Sequence, residues 1–133
     1  MSDPVTFASA LGDPTRWRIV RMALDEALCI CELADVLGMP QSSISSHVQI
    51  LRRAALLESE KQGKWAYFRI LPRYRKLILA MEEQFPEADR SLLKEDAAKL
   101  AQRLAVRAES CCPGPERLAR IPKRSTARGG AAK

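Results

Sequence analysis

The chain has 133 residues, 47% of them hydrophobic, with 22 Lys/Arg against 16 Asp/Glu for a formal net charge of +6. That length supports one real core with tails. No apolar run approaches the ~18 residues of a membrane span, and Asp3-Pro4 stands where a secretory signal would carry basic residues, so a cytoplasmic protein without a membrane partner is expected.

The elements read as follows in chain order. A short helix is predicted over residues 4–11, with Val5, Ala8 and Leu11 on one face. Gly12-Asp13-Pro14 breaks it, Asp13 serving as N-cap and Pro14 as the first residue of a second helix to about Leu24. A third helix begins at Cys29 or Ile30 and buries Ile30, Leu33, Ala34 and Leu37, and Gly38 closes it in the left-handed conformation. Only two or three residues later a fourth helix opens near Pro40 and runs to Ala54. It carries Gln41, Ser42, Ser43, Ser45, Ser46 and His47 on its first turns, and Ile44, Val48 and Leu51 on a core-facing side. Two short helices joined this tightly form a helix-turn-helix.

The period then becomes extended. Leu57–Lys61 and Lys64–Ile70 flank Gln62-Gly63, a hairpin signature in which Gly63 supplies positive φ. A hairpin following a helix-turn-helix is a wing, with Lys61 and Lys64 at its tip within reach of a phosphate backbone. From Pro72 the pattern is helical again, through Tyr74, Leu77, Ile78, Met81 and Phe85, with a stop at Pro86. A final helix carries Leu93, Ala97, Leu100 and Leu104. This apolar surface exceeds what a three-helix-plus-wing core needs, so the terminal helices are expected to meet a second copy of the chain. The fold class is mainly α with a small β-hairpin: a winged helix-turn-helix with flanking N- and C-terminal dimerisation helices over 1–110. Residues 111–133 form a Cys-Cys segment and a basic tail, with disorder expected from Pro113.

Charge follows the same division. Residues 1–49 hold three Lys/Arg against six Asp/Glu, 50–76 hold eight against two, and 116–133 hold six against one. Basic charge gathered after the helix-turn-helix and in the tail suits a polyanion.

The four cysteines form two pairs, Cys29/Cys31 and Cys111/Cys112. In a cytosolic chain their serious roles are buried thiols or ion ligands. On an ideal helix Cys29 and Cys31 point about 200° apart, so joint chelation is expected to require distortion of the first turn, and the helix N-terminus is expected to favour thiolates. Cys111 and Cys112 either complete that site, form a separate one, or serve as an accessory thiol pair. An enzyme is not expected: a thiol redox enzyme would want Cys-x-x-Cys near a βαβ unit.

Four segments resemble the ArsR/SmtB family of metal- and metalloid-responsive bacterial repressors: Leu11–Ile19, Leu28–Ala34, Ile44–Leu51 and Lys61–Arg69. The resemblance covers roughly residues 5–72 in the family's order and spacing. It implies a homodimer that binds operator DNA and releases it when a toxic ion binds. DNA contacts are then expected from Gln41, Ser42, Ser43, Ser45, Ser46 and His47, with Arg52, Lys61 and Lys64 on the backbone; His47 alternatively bonds a phosphate or a neighbouring helix. Leu-Cys-Ile-Cys-Glu-Leu resembles the sensing segment of both the arsenite-responsive and the cadmium/lead-responsive members. The arsenite pattern would place a third cysteine where this chain has Ala34, and the cadmium/lead pattern would draw on an N-terminal arm that here lacks cysteine. The expected ligands are Cys29, Cys31, Cys111 and Cys112, with As(III) or Sb(III) as inducer and no permanently bound cofactor. Cd(II)/Pb(II) at a four-cysteine site, or thiol redox sensing, stands as the alternative. The family's zinc site between terminal helices would need histidines, and His47 is the only one.

Overall fold

The computed structural model describes residues 3–110 and 112–118. Helix α1 (Pro4–Leu11) is capped by Asp3, whose carboxylate accepts from the Thr6 amide. The face it buries holds Phe7, Ala10 and Leu11, while Val5 and Ala8 are exposed; the expected Val5/Ala8/Leu11 face is thus rotated. Helix α2 (Pro14–Met22) starts as expected from Asp13, which accepts from the amides of Thr15 and Arg16. It ends before Leu24, although Leu24 itself is buried. Arg16 Nε reaches back to the Ala10 carbonyl at 2.6 Å, tying α2 to α1.

Strand β1 (Leu28–Cys29) precedes α3 (Ile30–Leu37). Gly38, at φ +65, lets the chain leave α3 and reach α4 (Gln41–Arg53) through a turn of three residues. In α4, Ile44, Val48 and Leu51 are buried as their spacing implied. Pro40 is the N-cap rather than the first helical residue. The wing is β2 (Leu57–Gln62) and β3 (Trp65–Ile70), antiparallel, with Gln62 opposite Trp65 and Gly63 at φ +62 in the tip. The sheet has a third strand that the sequence did not announce: β1 pairs with β3, Leu28 opposite Phe68 and Cys29 opposite Tyr67, giving the order β1-β3-β2. Two residues are too short for a period-2 pattern to be visible.

After a short 3-10 turn at Pro72–Tyr74 come α5 (Arg75–Glu83) and α6 (Ser91–Ala105). Helix α6 lies against α2 and α3 of its own chain. It does so through Leu100 and through two ion pairs, Arg18 to Asp96 at 2.9 Å and Arg103 to Asp35 at 2.8 Å. Of its expected stripe, Leu93 and Leu104 are half-buried and Ala97 is exposed. None of the described helices is long and apolar enough to cross a membrane.

The disorder expected from about Pro113 takes in residues 113–118, which the structure describes. Residues 112–118 lie across the wing: the Gly114 amide donates to the Tyr67 hydroxyl at 2.7 Å, and Leu118 is buried beside Tyr67 and Cys112. Composition, rich in Pro, Gly and charge, hid these specific attachments.

Candidate metal centre and nucleic-acid interface

Cys29 is the N-cap of α3, not part of it, with extended backbone at φ −95 and ψ 168. Strand geometry turns its side chain away from the direction a helical residue would take. Cys29 Sγ therefore reaches Cys31 Sγ at 3.1 Å, and the expected unwinding of the first turn is not needed. Cys112 supplies a third sulfur from the same chain, 3.3 Å from Cys29 Sγ and 2.7 Å from Cys31 Sγ. Cys111 lies outside the described residues. Among the described residues these three thiols are the one group of three or more Cys, His or carboxylate ligands close enough to share an ion. Ala34, the position at which the arsenite pattern would place a third cysteine, is buried in the core.

An ion bonded at ~2.3 Å to each sulfur spaces its ligands ~3.4 Å apart at bond angles of about 95°, and ~3.8 Å apart in a tetrahedron. The sulfurs here, at 2.7 to 3.3 Å, lie closer together than in either arrangement, so capture of an ion would spread them. Cys29 and Cys112 are buried and Cys31 is half-buried.

Supporting groups surround the triad. Glu32, fully buried, closes a reciprocal cap: its carboxylate accepts from the Cys29 amide at 3.1 Å, and its own amide donates to the Cys29 sulfur. Arg107 grips the same carboxylate with Nε at 2.6 Å and Nη2 at 2.7 Å, and donates to the Ala27 carbonyl. Its guanidinium also lies 5.4 Å from the Tyr67 ring centre. Arg103 Nη2 stands 4.0 Å from Cys112 Sγ. Burial pushes the Cys29 thiol well above its ordinary pKa, with Cys31 and the Glu32 charge adding to it; the expected lowering by the helix N-terminus is overridden. Burial also pushes Tyr67 up to about 12. The capping residue Glu32 was visible three residues after Cys29, but nothing in the sequence pointed to Tyr67, Arg103 or Arg107. Arg107 is 75 positions from Glu32.

The polar face of α4 is open. Gln41, Ser42, Ser43 and Ser46 are exposed, and Ser45 is half-buried. Ser46 Oγ donates to the Ser42 carbonyl at 3.1 Å. His47 is drawn inward: its Nδ1 is 3.2 Å from Arg16 Nη1 and 3.8 Å from Asp13 Oδ2, which favours the neighbouring-helix role. Arg52 lies over Phe68 and Lys64 over Trp65, the latter at 5.2 Å, while Lys61 is exposed on the wing. A cleft of about 490 Å³ connects the two regions. It is lined by Cys29 and Cys31, by Gln41, Ser45 and Gln49 of α4, and by Lys64 and Trp65 of the wing.

Residues 13–59 match the family described as bacterial regulatory protein, arsR family. The chain is 34% identical over 103 residues to the arsenic resistance transcriptional regulator ArsR1 of Pseudomonas putida, covering 77% of this chain and 80% of that one. It is 32% identical over 116 residues to ArsR2 of the same organism, covering 84% and 100%. Among solved structures, reduced HlyU from Vibrio cholerae is similar at 26% identity and a TM-score of 0.56, over 61% of this chain and 86% of that one. A homodimeric winged helix-turn-helix domain from Mycobacterium bovis shares the fold at 21% identity and a TM-score of 0.59, over 62% and 78%.

Proposed function

This chain belongs to the arsR family of bacterial regulatory proteins, DNA-binding regulators rather than enzymes, and from that premise we propose that it is a homodimeric repressor whose operator is released when Cys29, Cys31 and Cys112 capture As(III) or Sb(III). The observation that carries the reading is the convergence of those three sulfurs within 3.3 Å. Soft thiolates select thiophilic ions. Three thiolates neutralise a trivalent ion, so its capture leaves no net charge in a pocket where Cys29 and Cys112 are buried. With arsenous acid each thiol gives its proton to a departing hydroxide, so three S–As bonds form as three waters leave.

On the DNA side, Gln41, Ser42, Ser43, Ser45 and Ser46 enter the major groove, and Arg52, Lys61 and Lys64 hold the backbone. His47 braces α4 against α2. Two protomers place their α4 helices about one turn (~34 Å) apart, so the operator is an inverted repeat. The thiols share a cleft with both α4 and the wing, so capture there acts directly on the reading surface. Moving the population from mostly bound to mostly released requires ~5.5 kcal/mol of differential affinity, within the range of several ion–sulfur bonds.

Gel-shift titration on an operator fragment tests the reading. Cys29→Ser, Cys31→Ser and Cys112→Ser should each keep DNA binding and lose release by arsenite. Retained release in all three variants would move the sensing site elsewhere. The 2.7 Å approach of Cys31 and Cys112 also supports a second reading, disulfide formation by peroxide with loss of two protons and two electrons from the thiols. A peroxide arm of the same titration distinguishes it.

A further inference from the structure

Glu60 is an acidic side chain in the middle of a wing strand, yet it is only 6% exposed. Its partners explain this. Oε2 accepts from the Glu116 amide at 2.7 Å and Oε1 from the Leu118 amide at 2.7 Å, with Gln62 donating to Oε2 at 2.8 Å. One carboxylate therefore collects two amides of the C-terminal strap. Three further attachments lie along the same strap: Gly114 N–H to Tyr67 Oη, Arg117 Nη2 to the Ser59 carbonyl at 3.2 Å, and Leu118 buried in the cluster that contains Cys29 and Cys112. Cys112 sits at the upstream end of the strap, 0% exposed. Cys112 lies 83 positions from Cys29, so their approach depends on what fixes the chain near Cys112, which lies on no helix or strand of its own.

We propose that Glu60, assisted by Tyr67, is the positioning residue that presents Cys112 to Cys29 and Cys31, so that the third ligand is held in place by the wing. Resting on the three-thiol reading above, this makes the wing part of the sensor. Chain closure at the ion site and strap attachment at the wing are two ends of one short connection, residues 112–118. A pre-positioned third thiol acts at high effective concentration, whereas a loose one must be ordered at binding.

The test begins without any ion, in a Cys111→Ser background so that one tail thiol is read. Iodoacetamide should alkylate Cys112 slowly in the parent, and faster by about tenfold or more in Glu60→Ala and in Leu118→Asp, as the strap opens locally. Leu118→Asp releases the strap from the tail side and leaves the wing sequence intact. Arsenite affinity should fall about tenfold or more in both variants. Phenylarsine oxide, which takes two sulfurs, should bind Cys29 and Cys31 unchanged. Glu58→Ala, on the same strand but paired with Arg69, should behave as the parent. Parent-like alkylation and arsenite binding in Glu60→Ala would overturn the proposal, as would an equal loss in Glu58→Ala. If instead Cys112→Ser binds arsenite as the parent does, the three-thiol reading itself fails.

Discussion

At the scale of single residues, protonation and charge pairing decide the behaviour of the proposed ion site. Because burial holds the Cys29 thiol protonated, a divalent cation must expel protons to bind, and its affinity should rise with pH. Arsenous acid exchanges hydroxide for thiol with release of water and no net proton. Its affinity should therefore stay flat between about pH 6 and 8 while that of cadmium climbs; titration calorimetry in buffers of different ionisation enthalpy measures both. Arg107→Ala would leave the fully buried Glu32 carboxylate without its bidentate partner. Breaking a buried pair in this way costs ~3–5 kcal/mol, to be read as a lower midpoint in urea. On α4, Ser43→Ala with Ser46→Ala should weaken operator binding by ~1–3 kcal/mol per lost base contact and leave the dimer intact, as gel shift and sedimentation would report.

At the scale of elements, α3 and α4 end in the same left-handed turn on different residues. Gly38 makes the left-handed turn after α3 at no steric cost. The C-terminus of α4 uses the same geometry with a less suitable residue: Ala55 stands at φ +63, with its amide to the Arg52 carbonyl and the Leu56 amide to the Leu51 carbonyl. That is the hydrogen-bond pattern of a glycine-terminated helix. Ala55→Gly should raise stability by up to ~1 kcal/mol by removing the left-handed strain of an L side chain, measured by thermal unfolding. Strand β1 matters more than its length suggests. By pairing with β3 it joins the residue before α3 to the wing, so that Cys29 belongs to the sheet, the helix cap and the thiol triad together.

At the scale of the whole molecule, ion pairs bring α6 onto its own core while large apolar groups on α5, on α6 and between them stay exposed. Phe85 is 60% exposed, and Leu77 and Leu92 are each 45% exposed. Phe85 and Leu92 border a groove of about 370 Å³ with Trp17 and Met81. Apolar surface of this kind supports the proposed association of two copies. Phe85→Glu with Leu92→Glu should convert the dimer to monomers in sedimentation velocity and reduce operator affinity, since one reading helix would then bind a half-site alone.

The helix-turn-helix, the wing and the buried face of α4 are legible in the amino-acid order because each is written in local signals. Asp13-Pro14 and Gly38 mark helix ends, Gln62-Gly63 marks a hairpin, and Ile44, Val48 and Leu51 recur at helical spacing. The amino-acid order also places Cys29 and Cys31 together as candidate ligands. Folding, not local pattern, makes Cys29 cap a helix from the end of a strand, buries its thiol and raises its pKa, and brings Cys112 to the triad. Those outcomes depend on contacts spanning many tens of residues, such as Glu32 with Arg107 and Glu60 with the amides of Glu116 and Leu118. A carboxylate in a wing strand and a Pro/Gly-rich tail carry no mark of each other until the chain is folded.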